Sequence, residues 1–403
     1  MKVRLENLTN VFKEVFSFAE KQFATDIYLR EGVPPFFKTV EVAGSAARIK
    51  ALYYETLIRE AERRGEDAGE YRKEKNEIMK KLPKELKNKV TKADLTRFHE
   101  VLGISPEKIK EGKEIDTSFA LVKGGKFAGR FRLNISLADG EIVLAIRRLY
   151  SYVPHPFDDL RLPDVVGEVK NWSSGLVIVT GPTGSGKSTT LAALMRYLSE
   201  DDFRSRVIVT IEKPIEYVLE QKNAFFIQRE VGRDTKDFVS GVHNALRQHP
   251  DVILVGESRT PEEIKATLTA SETGHLVFTT LHSASAWGVI SRIVDVFPPD
   301  EQPQVRTILA EQLKLVIAQR LVTTVDFAVK AVCEVLVVDD FVRNRILEGE
   351  VKQIMNYMAS SKGKNRLLNK ELVRLVNEGV ITPETAMKVS YDIRELQAQL
   401  RSL

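Results

Sequence analysis

Cysteine is nearly absent from this chain of 403 residues: Cys333 stands alone. A lone thiol excludes an intramolecular disulfide and any zinc site built from paired CxxC motifs, so the fold must rest on apolar cores, and a reducing compartment is expected. Neither charge sign dominates, with 60 Lys+Arg against 56 Asp+Glu, and no extreme tail of one sign exists. That balance argues against a dedicated nucleic-acid arm, and no nucleic-acid partner is expected. Long apolar runs are missing too, since stretches such as 176–179 and 252–255 fall far short of the roughly 20 residues a membrane helix requires. The opening Met1-Lys2-Val3-Arg4 leads into an amphipathic pattern and not an apolar signal core. The expectation is a cytoplasmic protein with no transmembrane segment, which reaches a membrane only by docking there. What is present, 43% hydrophobic residues over this length, suffices for two or three domains with cores of their own.

Segment 7–22 places Leu8, Val11, Phe12, Val15, Phe16 and Ala19 at three- and four-residue steps, one face of a helix. Short extended segments follow, broken at Gly32-Val33-Pro34-Pro35. Residues 51–92, within a charged insert near 43–113, are rich in Glu and Lys and read as solvated helix, with a lysine-rich docking surface as the alternative. From Phe119 to Arg148 the pattern alternates as in strands, around a turn at Ala138-Asp139-Gly140. Polar, proline-rich text at 151–164 reads as a linker between an amino-terminal domain, 1–150, and a second domain, 165–403. There the strand-like runs LVIVT, VIVTI, VILVG and LVFTT alternate with helices from Lys187 and Pro261, which indicates an α/β fold with a parallel sheet covered on both faces. The tail from about Glu301 reads as mostly helical, with a break at Gly379-Val380-Ile381-Thr382-Pro383.

Gly181-Pro182-Thr183-Gly184-Ser185-Gly186-Lys187-Ser188, followed by Thr189, satisfies GxxxxGK[ST] between a buried strand and a helix. Its glycines let backbone N–H groups converge on phosphate oxygens, and the helix start adds its positive dipole end. Lys187 would meet the β- and γ-phosphates of ATP, and Ser188 would ligate Mg2+. A second metal acid is needed. Glu257, at the carboxyl end of the run from Asp251, fits that need, whereas Asp251 precedes the strand and reads as a boundary residue. Either Glu212 or Glu216, just beyond the strand at 207–211, could polarise the attacking water, and spacing does not choose between them. His275 and His282 flank the strand LVFTTL. With no Cys or third His nearby, metal binding is the weaker reading, and an imidazole reaching the γ-phosphate or its water is the sharper one.

Taken together, GPTGSGKSTTLAAL (181–194), TIEKPIEYV (210–218), QREVGRDT (228–235), DVILVGESR (251–259) and ETGHLVFTTLHS with RIVDVFP (272–283, 292–298) resemble the secretion ATPases of type IV pili and type II secretion. They are most similar to the pilus-retraction, or twitching-motility, branch. The resemblance implies a Mg-dependent hexameric ATPase with an amino-terminal PAS-like α+β domain and a carboxy-terminal RecA-like domain that rotate about a linker. It also implies an inner-membrane pilus platform protein as partner, and a cytoplasmic location at the inner-membrane base of the pilus. Glu216 matches the catalytic glutamate, Glu257 the Walker B acid, and His275 and His282 the histidine box. Arg130, Arg132 and Arg147 match the amino-terminal strand arginines that complete a site in this family, with Arg132 and Arg147 ranked first. Arginine suits that role physically, offering fixed donors to a phosphate whose charge spreads in the transition state.

Departures are visible as well. Lys213 stands where the pattern has aspartate, GEMRD reads Gly256-Glu257-Ser258-Arg259-Thr260, and GTLHT reads Thr279-Thr280-Leu281-His282-Ser283. The retraction signature AIRNL reads Phe341-Val342-Arg343-Asn344-Arg345. These differences admit a paralogous or accessory ATPase at the pilus base, or a related secretion or conjugation ATPase, as the alternative. The single cysteine excludes the tetracysteine zinc element of the extension branch.

Overall fold

The computed structural model describes residues 2–21, 24–30, 36–39, 90–104, 114–123, 126–149, 152–326, 328–360 and 364–401, together with positions 69, 73 and 109. The chain divides into two compact units, Met1–Ser151 and Tyr152–Leu403. The break expected at 32–35 and most of the charged stretch 51–92 lie outside the described residues.

The first unit contains β1 (Lys2–Arg4), α1 (Asn10–Lys21), β2 (Ala24–Arg30), β3 (Phe36–Thr39), α2 (Lys92–Val101), β4 (Ile115–Lys123), β5 (Lys126–Ala138) and β6 (Glu141–Leu149). The strands form one sheet in the order β1-β4-β5-β6-β2-β3. The apolar face predicted for the first helix is present: Phe12, Val15 and Phe16 are buried, and Phe12 stacks on Phe98 of α2 at 4.5 Å between ring centroids. Each such ring contributes on the order of 2 kcal/mol of transfer free energy. Period-two alternation sends Phe131, Leu133 and Ile135 of β5 into this core and leaves Arg130, Arg132 and Asn134 on the other face. The turn between β5 and β6 places Asp139 and Gly140 at φ +53° and +76°, the left-handed pair that a two-residue hairpin requires.

The second unit begins with the segment expected to be a linker, and 152–164 lies against it instead of standing apart. Arg196 donates to the Val153 carbonyl at 2.7 Å, Phe157 meets Tyr197 edge-on, and Leu162 is buried. The strands are β7 (Gly175–Thr180), β8 (Arg206–Glu212), β9 (Ala224–Glu230), β10 (Val252–Val255), β11 (Leu276–Leu281), β12 (Leu313–Thr323) and β13 (Val329–Val337). They form a sheet in the order β13-β12-β7-β11-β10-β8-β9, parallel except for the β12–β13 pair. Alternate residues feed opposite faces: Ile253 and Val277 enter one core, Leu254 and Phe278 the other. This double burial is why the strands read as unbroken apolar runs.

Helices α3 (Lys187–Ser199), α4 (Phe238–Ala245), α5 (Pro261–Glu272), α6 (Gly288–Val294), α7 (Gln302–Gln312), α8 (Asp340–Glu348) and α9 (Val351–Ser360) cover the sheet. The start at Pro261 is set by a capping box between Thr260 and Glu263. Beyond them α10 (Leu368–Asn377), α11 (Pro383–Val389) and α12 (Ile393–Arg401) pack around their own small core. Gly379 at φ +66° marks the predicted break. The expectation of a mostly helical tail from Glu301 is corrected by β12 and β13. These two strands extend the parallel sheet beyond β7, and β12 is seated against the strand that carries the phosphate loop.

Candidate functional site

The loop follows β7, whose residues are all buried, and opens α3. Gly181 takes φ +143°, and a Cβ there would lie 2.4 Å from the Gln319 carbonyl oxygen; one at Gly186, φ +86°, would lie 2.7 Å from Gln319 Nε2. Only glycine permits this approach. Gln319 of β12, itself buried, fastens the loop with both ends of its amide: Nε2 donates to the Ser185 carbonyl at 2.6 Å, and Oε1 accepts from Thr190 Oγ1 at 2.6 Å. Sequence reasoning missed Gln319; the available signal was an amide in the middle of the apolar run LKLVIAQRLV.

Pro182, Thr183 and Gly184 are exposed at the loop tip, and a Cβ at Gly184 would meet open space. Lys187 Nζ donates to the carbonyls of Gly181 and Pro182 at 3.0 and 3.1 Å, folding back over the cradle. Burial pushes the Lys187 ammonium below its ordinary pKa, and the charges of Glu257 and Glu216 oppose that shift. Ser188 is exposed at the helix start, and Thr189 Oγ1 lies 2.8 Å from the hydroxyl of Tyr217, which ties the helix to the acidic segment. The Ser185 hydroxyl is buried and finds no partner among the described residues. Among those residues nothing accepts the N–H groups of Gly184, Gly186 or Lys187 either. Open donors, a buried orphan hydroxyl and a cationic side chain suit the oxygens of a polyphosphate.

Glu257 follows β10 at its carboxyl end. It meets Arg259 Nε at 2.5 Å and His282 Nε2 at 2.8 Å. Burial raises its pKa, but the hydrogen bonds and charges of Arg259 and His282 prevail and hold it below the usual carboxylate range. An ionised oxygen donor thus stands ready for Mg2+, with the exposed Ser188 hydroxyl the second candidate.

The two glutamates that spacing left open are distinguished by their partners. Glu212 accepts from Thr210 Oγ1 at 2.6 Å and Gln228 Nε2 at 3.3 Å, a structural role in the sheet. Glu216, half-buried, lies on the segment whose Ile215 N–H is held by buried Glu230 at 3.2 Å. Asp251 accepts the Val207 N–H at 2.7 Å, as a boundary residue should.

His282 belongs to this constellation and His275 does not. His275 Nδ1 faces Thr273 Oγ1 and the Ala270 carbonyl, just before Leu276, which registers with Gly175 at the far end of β7 from the loop. Six extended residues separate the two histidines, roughly 20 Å of strand. A role for His275 at its own chain's phosphate loop is therefore corrected. Two further cations escaped the sequence reading. Arg259 and half-buried Arg320 both bear on Lys187, and Arg320 donates to the Ala284 carbonyl at 2.9 Å.

In the first unit Arg132 forms a forked pair with Asp116, at 2.9 and 2.5 Å, and Arg147 donates to Asp26 at 2.7 Å. They stand directly opposite each other across β5 and β6. Arg147 is 61% exposed, while Arg130 is buried and donates to Ser118.

Comparison with known proteins decides the family. Residues 160–398 match the family described as type II/IV secretion system protein. The chain is 36% identical over 376 residues to the type IV pilus retraction ATPase PilT of Pseudomonas aeruginosa, covering 93% of this chain and 96% of that one. The chain belongs to the pilus-retraction ATPase family. It is also 40% identical over 281 residues to a twitching motility protein of Neisseria gonorrhoeae, covering 69% and 73% of the two chains. A crystal structure of the pilus retraction motor PilT with bound ADP aligns with a TM-score of 0.75 at 34% identity, covering 97% of this chain and 99% of that one.

Within this retraction-ATPase framework the departures from the usual motifs fall partly on exposed or capping positions and partly inside the sheet, where Ser258 and Thr279 are buried with their hydroxyls 2.9 Å apart. Lys213 is exposed, Thr260 caps α5, and the Ser283 N–H reaches Thr180 Oγ1 at 2.7 Å. None replaces Lys187, Ser188, Glu216, Glu257 or His282.

Proposed function

We propose that this chain is a hexameric motor that hydrolyses MgATP to power type IV pilus retraction from the cytoplasmic side of the inner membrane. The observation that carries the reading is the Glu257–His282 pair at the strand ends beside the loop that Lys187 closes, with Leu281 in register with Thr180. Lys187 would exchange the carbonyls of Gly181 and Pro182 for phosphate oxygens. Glu216 would orient the attacking water, and Glu257 with Ser188 would hold the metal. When bound, Mg2+ would neutralise charge developing on the phosphates. His282, on Glu257, would register loss of the γ-phosphate and pass it to the strand end behind it. Arg132 and Arg147 would meet phosphate charge during turnover, and hydrolysis would deliver torque to a membrane-embedded pilus platform protein.

A ring makes its own prediction: light scattering at micromolar protein should show an oligomer, and a strict monomer with and without nucleotide contradicts it. The direction of work is read in cells. Deleting the gene should leave an excess of surface pili and no twitching, whereas loss of pili would reassign the motor to extension.

A further inference from the structure

Glu334 has no part in the chemistry above, yet it is buried where three segments meet. From β13, one of its carboxylate oxygens accepts the Ala286 N–H at 2.7 Å; the other accepts the Leu368 N–H at 3.1 Å and the Tyr391 hydroxyl at 2.7 Å. Ala286 lies on the segment that begins at His282. That segment is fastened at successive points: His282 to Glu257, Ser283 to Thr180, Ala284 to Arg320, and Ala286 to Glu334. Arg320 in turn neighbours Gln319, the residue that clasps the phosphate loop. On the opposite side, Leu368 opens α10 and Tyr391 joins α11 to α12. A single carboxylate therefore joins the segment behind the nucleotide site to the carboxy-terminal helices.

Burial pushes the Glu334 carboxyl above the usual range, and Tyr391, the two backbone N–H groups and the Arg320 charge counter this only in part. We infer that Glu334 is a positioning residue for nucleotide hydrolysis, which couples the placement of segment 282–287 to the carboxy-terminal helices through Tyr391. The inference rests on the reading that His282 and Glu257 face the bound nucleotide. It gives the helical lobe a defined route to the site: a shift of α10–α12 pulls on Ala286, and through it on the imidazole at Glu257.

Tyr391→Phe deletes the hydroxyl that donates to Glu334, together with its approach to Trp287, and substitutes no group around Glu257. The full-length variant should lose about fivefold in kcat with KM for MgATP within about twofold of the parent, and the same substitution should have no further effect in a His282→Ala background. Glu334→Gln should fall at least as far in kcat. Parental turnover in Tyr391→Phe, or a loss that persists in full beside His282→Ala, overturns the inference. Melting curves accompany both variants, and collapse of the fold in both marks Glu334 as purely structural, which overturns it equally. A parent chain that fails to hydrolyse MgATP defeats the underlying reading instead.

Discussion

Glu216→Gln is expected to bind MgATP as the parent does and to lose turnover by about two to three orders of magnitude, roughly 3–4 kcal/mol of transition-state stabilisation. Glutamine keeps the side-chain length and one acceptor oxygen but has no carboxylate to draw a proton from water. Glu216 is the choice because Glu212 is already committed to Thr210 and Gln228, while no described residue hydrogen-bonds the Glu216 side chain. A steady-state phosphate-release assay checks this. Parental turnover would return the base assignment to Glu212 or to a group outside the acidic segment.

Lys187→Ala carries the second large effect. The ammonium folds back onto the carbonyls of Gly181 and Pro182, so the loop holds its cation at the mouth of the cradle. Truncation removes a charge-assisted contact to the β- and γ-oxygens, and nucleotide affinity should fall by on the order of a hundredfold, close to 3 kcal/mol, with turnover lost as well. The fold should survive, because Gln319 still clasps Ser185 and Thr190 without help from the lysine. Fluorescent-nucleotide binding and a melting curve on the same sample separate the two effects.

The contrast between these residues shows what a sequence can disclose. The phosphate loop was legible because its chemistry is contiguous: strand, glycines, lysine and hydroxyl follow one another over a few residues, and each does its work locally. The buried strands around it were legible because burial on both faces removes polar residues from the run. Gln319 and Glu334 were not legible, since each acts on residues far along the chain: Gln319 on Ser185, and Glu334 on Ala286 and Tyr391. An amide or carboxylate inside an apolar strand announces a buried partner without naming it.

The same limit explains two readings that the structure changed. β12 follows directly on α7, and its run offers no turn residue to separate strand from helix, so length and periodicity alone placed it in a helical tail. His275 and His282 look equivalent in sequence because both border β11, yet a strand has two ends and only the carboxyl end of this one reaches the loop. In the first unit the alternation of β5 and β6 fixed which face carries Arg132 and Arg147. The carboxylates that hold them, Asp116 and Asp26, became apparent only with the strand order.

Calorimetric titration of MgATP into Glu216→Gln, repeated with Lys187→Ala added, tests the central claim most directly. Saturable binding in the first and its loss in the second are predicted; equal binding by both, or none by the first, contradicts the account.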